Sequence, residues 1–272
     1  MKNLILCVLM ALALLAPATS YSQPPTQKEI SEWKKAAEQG DAKAEFMMGM
    51  LFNYGQGVKQ DRAEALKWFR MSAVQGNADA QFMVGVIYDL GQGVEQDYAE
   101  ALKWHRKAAD QGNAGAQLLV GMKYKEGIGV RQDYAEAMKW LKMSAVQGNA
   151  NAQFNIGLMY DLGKGARQDY TEALQWYRLS AAQGNAKAQF NIGAMYDLGK
   201  GVRQDYTEAL QWYRLSAAQG NADAQVIIGY LYSLGKGVRQ DKRVAKEWFG
   251  KACDKGNQTG CDEYRILNEQ GY

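Results

Sequence analysis

Residues 77–112 read NADAQFMVGVIYDLGQGVEQDYAEALKWHRKAADQG, and this stretch carries the signals of two helices joined by a glycine turn. Asn77 is a good N-cap for a first helix, and the glycines at 91 and 93 predict where that helix ends. Asp97, followed three residues later by Glu100, resembles a capping box and predicts the start of a second helix. A glycine at 112 then stands where a C′ residue would stop the second helix.

The same pattern recurs along the chain with a period of 36 residues. All seven tryptophans follow it, with the first one residue out of phase: Trp33, Trp68, Trp104, Trp140, Trp176, Trp212 and Trp248. Six full units are predicted at 41–76, 77–112, 113–148, 149–184, 185–220 and 221–256, with a half-repeat at 27–40 and a C-terminal cap at 257–272. Because one helix pair cannot bury its own apolar face, the stacked units predict an all-α fold, an α/α superhelical solenoid.

The N-terminal residues predict a secretory signal peptide. Lys2 precedes an unbroken apolar run from Leu4 to Leu15, and small residues follow it up to Ser20. This run is too short to span a bilayer comfortably, which takes about 20 residues. We therefore expect residues 1–20 to be cleaved, residues 21–26 to form a flexible leader, and the protein to be exported to the periplasm or beyond the cell.

Composition narrows the function classes. The 32 basic and 29 acidic residues give a net charge of +3, which offers no support for nucleic-acid binding. Cys7 lies in the predicted signal peptide, so Cys253 and Cys261 would be the cysteines of the exported chain. An even pair in an exported protein predicts a disulfide, and the alternative is two separate thiols.

The repeat unit itself resembles a known family. It reads Ala-x-x-x-x-Gly-x-x-Tyr, then Gly-x-Gly-Val-x-Gln-Asp, then Ala-Leu-x-Trp-x-x-x-(Ser/Ala)-Ala-x-Gln-Gly. This pattern resembles the Sel1-like repeat, a relative of the tetratricopeptide repeat, over about residues 27–272. The resemblance implies a role as an adaptor or scaffold, and the exported bacterial members it suggests act in envelope assembly, signalling or host contact.

The C-terminal cysteines carry a finer likeness. Cys253 and Cys261 are eight residues apart across the last predicted turn, which is similar to the cysteine-rich secreted branch of the family. In that branch every repeat carries such a bridge, whereas here only the last junction has one. The likeness implies a bond that pins the terminal helix and has no redox function.

Catalytic chemistry is not indicated. His105 is the only histidine, and it occupies the position held by aromatic residues in other units, so we interpret it as a packing residue. Ser31 and Ser233 each begin a Ser-x-x-Lys motif like that of penicillin-interacting enzymes, but no Ser-Asp-Asn or Lys-Thr-Gly motif completes the set. The Gly-Lys-Gly sequences lack the spacing of a phosphate loop. We therefore predict no enzyme, cofactor or metal site.

Two surfaces are candidates for partner binding. In tetratricopeptide-like solenoids the first helix of each pair lines the concave face, so by analogy the groove draws on apolar and polar positions of these helices, with inter-repeat core as the alternative. These groove positions are Phe46, Met50, Asn53, Phe82, Val86, Asp89, Met122, Lys125, Phe154, Asp161, Phe190, Asp197, Tyr230 and Ser233. The second surface is a basic edge, for which a solvated edge is the plainer interpretation: Lys164, Arg167, Lys200, Arg203, Lys236 and Arg239.

These observations favour an exported scaffold that binds a protein or peptide of unknown identity through its concave surface. The first alternative is binding of an envelope polymer, peptidoglycan or an anionic polysaccharide, which the basic edge would favour. The second is a penicillin-interacting enzyme. Both half-repeats look like caps, so we expect a monomer. No segment after the predicted signal peptide is apolar enough to cross a membrane, so we expect no transmembrane segment once the signal is removed.

Overall fold

The computed structural model describes residues 25–272, so the predicted signal peptide and residues 21–24 of the leader lie outside the described residues. Within residues 25–272 the regular structure is helical throughout, with no strand. The helices are α1 Gln27–Glu38, α2 Ala42–Tyr54, α3 Arg62–Val74, α4 Ala78–Leu90, α5 Tyr98–Asp110, α6 Ala114–Glu126, α7 Tyr134–Val146, α8 Ala150–Leu162, α9 Tyr170–Ala182, α10 Ala186–Leu198, α11 Tyr206–Ala218, α12 Ala222–Leu234, α13 Lys242–Asp254 and α14 Gln258–Glu269. None of the helices in this part of the chain is long and apolar enough to cross a membrane.

The chain divides into two compact units, Met1–Asn149 and Ala150–Tyr272. The first unit holds α1 to α7 and the second holds α8 to α14. In each unit the two helices of a repeat pack together, and the second helix also packs on the first helix of the repeat that follows it in the same unit.

The helices of this repeat begin directly after the N-cap residues that the sequence predicts. The Asn77 side chain accepts from the backbone N–H of Ala80 at 3.0 Å, and Asp97 accepts from the N–H groups of Ala99 and Glu100 at 2.9 Å. The first helix of this repeat ends on Gly91, whose φ of 64° lies in the left-handed region that glycine adopts without strain. The predicted starts and stops of the helix pair are confirmed.

The glutamate of the capping-box pattern bonds a tryptophan and not the cap. Glu100 Oε1 accepts a hydrogen bond from Trp104 Nε1 at 2.9 Å and does not return to the N-cap backbone. A partly buried indole N–H needs an acceptor, and a carboxylate one helical turn earlier supplies it. The same pair recurs in later repeats as Glu136 with Trp140, Glu172 with Trp176 and Glu208 with Trp212.

A glycine in each first helix lets the second helix approach closely. A Cβ atom placed on Gly157 would lie 2.6 Å from the Tyr177 ring, and one on Gly193 would lie 2.8 Å from the Tyr213 ring. Contacts this short leave no room for a methyl group, so in these repeats a ring packs directly on bare backbone, and in the third repeat Leu141 packs on Gly121 in the same way. His105 lies over Gly85 in the same way, which is the packing position predicted for it.

Polar side chains link neighbouring repeats within each unit. Arg178 Nη2 donates to the Tyr196 hydroxyl at 2.8 Å, and Arg70 donates to the Tyr88 hydroxyl at 2.7 Å. An amide ladder adds to these bonds, because Gln219 donates to the Gln189 side chain, whose own NH₂ reaches a carbonyl of the preceding repeat. These recurring bonds are nearest-neighbour terms of the kind that stabilise a solenoid.

The disulfide predicted from the two cysteines is present. Cys253 at the end of α13 is bonded to Cys261 in α14, and their Cα atoms are 4.5 Å apart. The bridge therefore joins the last full helix pair to the terminal helix, which buries Leu267 but exposes Tyr264 and Ile266.

Replacing both cysteines with serine is expected to loosen α14 alone. A closed loop this short gives an entropic stabilisation of about 2 kcal/mol, and solenoid energetics are local. Hydrogen–deuterium exchange should therefore accelerate in α14 and in the end of α13, while α8 to α11 keep their protection. Faster exchange throughout the second unit would contradict this local role.

Candidate protein-binding surface

In the first unit, several of the predicted groove residues are core residues. Phe82, Val86, Asp89 and Met122 are each 2 % exposed or less, and Asn53 is buried as well. Phe46, Met50 and Lys125 are half-buried, and Lys125 Nζ lies 4.0 Å from Glu126 Oε1. The buried positions contribute packing and present almost no area to a partner.

Asp89 belongs to a buried charged cluster that the sequence did not reveal. Its carboxylate accepts from Lys123 Nζ and also lies 2.9 Å from His105 Nε2, with all three side chains almost fully buried. Burial lowers the pKa of the His105 imidazole, and burial also lowers the pKa of Lys123 against the opposing effect of Asp89. This cluster is closed to solvent and lies at the junction between the second and third repeats.

In the second unit the aromatic groove residues are half-buried and share a common setting. Phe154 packs on Tyr177 with ring centroids 5.8 Å apart, and Phe190 packs on Tyr213 at 5.5 Å. Tyr230 packs on Phe249 at 5.1 Å, and its hydroxyl donates to Glu263. Each ring therefore covers the second helix of its own repeat and keeps part of its surface exposed to solvent.

The two groove carboxylates of this unit are held in place by tyrosines. Asp161 accepts from the Tyr177 hydroxyl at 3.3 Å, and Asp197 accepts from the Tyr213 hydroxyl at 3.4 Å. Burial raises the pKa of both phenols well above its ordinary value, and the neighbouring carboxylates act in the same direction, so the phenols remain protonated donors. Ser233 is half-buried, and its carbonyl accepts from Gln240.

A cleft of about 560 Å³ opens between the first helices α8 and α10. Its apolar lining comes from Phe154, Leu158 and Phe190, and its polar lining includes Lys187 and Asp223. An open cleft with apolar walls and a few polar groups is suited to receiving side chains from a partner.

Exposed leucines extend this surface, and the repeat pattern did not single them out. Leu162, Leu198 and Leu234 are 53 %, 61 % and 61 % exposed, and each is the last residue of a first helix. Leu162 lies four residues after Leu158, which places both on one face of α8. The four-residue spacing Phe154, Leu158, Leu162 was visible in the sequence and could have identified them.

The side chains of the basic edge are exposed. Lys200 Nζ lies 5.2 Å from the Tyr170 ring centroid, and Lys236 Nζ lies 5.0 Å from that of Tyr206. Within residues 25–272, no ion pair involves Arg167, Lys200, Arg203, Lys236 or Arg239. Lys164 is also exposed.

The two serines considered for chemistry lie in different units. Ser31 is exposed in α1 of the first unit, and Ser233 lies in α12 of the second. Among residues 25–272 no group of three or more His, Cys, Asp or Glu side chains is placed to hold a metal ion.

Comparison with known proteins decides the family. The Sel1 repeat family model matches residues 33–41, 42–77, 78–113, 114–149, 150–185, 186–221 and 222–257. The chain belongs to the Sel1 repeat family. Its six full repeats in this match begin one residue later than the units predicted from the tryptophan spacing, and the first, partial match begins at residue 33, inside the half-repeat predicted at 27–40. The predicted α/α solenoid of 36-residue helix–turn–helix repeats is confirmed.

Two solved structures extend this assignment. A protective antigen of uropathogenic Escherichia coli is 37 % identical with a TM-score of 0.86, and the match covers 89 % of this chain and 52 % of that one. The chain therefore spans about half the length of that antigen. A Sel1 repeat protein from Oxalobacter formigenes is 32 % identical with a TM-score of 0.76, covering 90 % of this chain and 96 % of the other. No curated protein gives a match. Sel1 repeats generally serve as non-enzymatic scaffolds for protein–protein interaction.

Proposed function

We propose that this Sel1 repeat chain is an exported scaffold that binds a protein or peptide partner, in the cell envelope or in contact with a host. The binding surface is formed by the first helices of the fourth, fifth and sixth repeats. The observation that carries the proposal is the cleft between Phe154, Leu158 and Phe190, continued by leucines that are more than half exposed. Exposed apolar side chains that are contiguous mark interaction sites more often than isolated ones do.

The exported location has three supports. The N-terminal apolar run has the form of a secretory signal, and the Cys253–Cys261 disulfide suits an oxidising compartment. The similar E. coli protein is a protective antigen, which supports a location that a host can reach.

Site-specific photo-crosslinking in cells tests this surface directly. A photoreactive amino acid at Leu198, on the proposed surface, is expected to give a discrete crosslinked product with a partner protein. The matched control is Gln211, which is exposed on the second helix α11 of the same repeat. Crosslinked products of equal yield at Leu198 and Gln211 would exclude the first-helix surface. The absence of any product at Leu198, in cells that express the protein with its own N-terminal segment, would also exclude it.

A further inference from the structure

The exposed apolar stripe in the second unit has a definite extent. Leu162, Leu198 and Leu234 recur once per repeat, and the half-buried residues one and two helical turns before the first two of them continue each stripe along its helix. These half-buried residues are Phe154 and Leu158 in α8 and Phe190 and Ala194 in α10. Each leucine is followed two residues later by a lysine, so the apolar stripe ends at the basic edge.

The acidic side chains around this edge already accept hydrogen bonds from other groups of the chain. Asp169 and Asp205 accept two backbone N–H bonds each as N-caps of α9 and α11. Asp161 and Asp197 accept from buried phenols. The exposed Arg167, Lys200, Arg203, Lys236 and Arg239, by contrast, make no ion pair within residues 25–272. These carboxylates keep their negative charge, but their hydrogen bonds hold them at the helix N-termini and the phenols. The side chains left to pair with a partner at this edge are therefore the five exposed cations.

The second repeat lacks both of these features. Its stripe positions Phe82 and Val86 are buried, and its loop carries Gln92 and Glu95 where later repeats carry lysine and arginine. Both the exposed stripe and the basic loop are thus absent from one repeat and present together in the fourth and fifth. A surface used only for packing would not require cations beside it.

We propose that this face of the fourth to sixth repeats binds an acidic amphipathic helix of a partner protein. The inference rests on the proposed function and adds the chemistry of the partner. Apolar side chains at helical spacing contact the leucine stripe, and carboxylates along one flank of the partner helix pair with the arginines and lysines of the loops. Because the edge carries exposed lysines and arginines, charge complementarity favours an acidic partner over a basic or neutral one.

A random peptide library displayed on phage, selected against the whole protein, tests this chemistry whatever the identity of the partner. Enriched peptides are expected to carry net negative charge and apolar residues at i, i+3 or i+4, and i+7. Enrichment of basic or uncharged sequences, or no enrichment above an empty support, would overturn the proposal.

Matched variants then locate the binding of the most enriched synthetic peptide, measured by fluorescence anisotropy. The R167E/R203E/R239E variant is expected to weaken binding about tenfold or more, with a strong dependence on salt. Reversal at the equivalent loop positions of the first and third repeats, K59E/R131E, should leave the affinity unchanged. Equal losses from both sets would contradict a local site.

The leucine stripe has its own control. The L162S/L198S/L234S variant is expected to lose binding, whereas serine at Leu179 and Leu215, exposed leucines of the second helices α9 and α11, should not. Binding of the protein to vesicles containing phosphatidylglycerol, or to purified peptidoglycan, in place of any peptide would identify an anionic surface as the ligand and refute the partner helix. A crosslinked partner at Leu198 that shows no acidic preference would leave the scaffold function standing and remove only this inference.

Discussion

Replacing Gly201 with alanine is expected to lower the free energy of unfolding by about 3 kcal/mol or more, through left-handed strain and overpacking together. The glycine has a φ of +66°, and a Cβ atom there would lie 2.6 Å from both the carbonyl carbon and the carbonyl oxygen of Tyr170. These atoms are backbone at the start of the neighbouring second helix, so they cannot move aside as a flexible side chain would. Urea unfolding followed by helical circular dichroism measures the effect.

Gly184 provides the matched control for this prediction. Its φ is +85°, but a Cβ atom there would meet nothing within 4 Å, so alanine tests the cost of left-handed backbone alone. That cost is about 1 to 2 kcal/mol. The larger loss at Gly201 should also broaden the transition, because the contact joins two successive repeats. Equal losses at the two glycines would show that the contact with Tyr170 contributes nothing.

Replacing Asp89 with asparagine is expected to destabilise the protein by about 3 to 5 kcal/mol, because it leaves the buried Lys123 ammonium without a charged partner. Lys123 is 0 % exposed and donates to the Asp89 carboxylate, which also contacts His105. The free energy of unfolding from urea titration at neutral pH measures the loss.

The chain itself suggests the rescuing variant. Asn53 occupies the position of Asp89 in the first repeat, and Met159 occupies that of Lys123 in the fourth. The D89N/K123M double variant removes both charges and is expected to return to within about 1 kcal/mol of the parent protein, as buried ion pairs replaced by apolar residues often do. A double variant as unstable as D89N alone would show that the unpaired charge of Lys123 does not cause the loss of stability in D89N.

The Gly201 and Asp89 predictions concern two kinds of position, one shared by all repeats and one specific to a single junction. Gly201 belongs to a pattern that every repeat shares in some form, so its effect follows from the common architecture. Aspartate recurs at the position of Asp89 as Asp161 and Asp197, but His105 and Lys123 depart from the pattern, and none of the other repeats combines the same three residues. A repeat protein can therefore carry an individual charged core at one junction without altering its other units.

The helix starts and stops were predictable because they depend on short-range chemistry. Asn77 and Asp97 cap the helices that follow them within three residues, and Gly91 ends a helix by its own conformation. The partner of Glu100 was not predictable from the capping pattern, since a carboxylate three residues after an N-cap can turn back to the cap or forward to an indole. The presence of Trp104 one turn later decides between them.

The candidate surface was only partly predictable. The analogy to tetratricopeptide-like solenoids pointed to the first helices, and the half-buried Phe154, Phe190 and Tyr230 do lie there. The same analogy gave Phe82 and Val86 equal weight, although both are buried, and it passed over the exposed leucines that end these helices. The exposed fraction of a side chain depends on how neighbouring helices cover it. Residues at equivalent positions of the same motif can therefore differ in exposure.

Periodicity, caps and paired cysteines are properties of the chain read along its length, and from them the helix pairs, the repeat and the disulfide followed without a structure. Hydrogen-bonding partners a few residues apart, or repeated every 36 residues, leave a signal that sequence order preserves. The ion pair between Asp89 and Lys123, the tyrosines that hold Asp161 and Asp197, and the exposure of Leu162 and Leu198 came only from the tertiary structure. These features depend on burial and on contacts between separate helices, and the free energy of a charged or apolar side chain is set by what surrounds it in space.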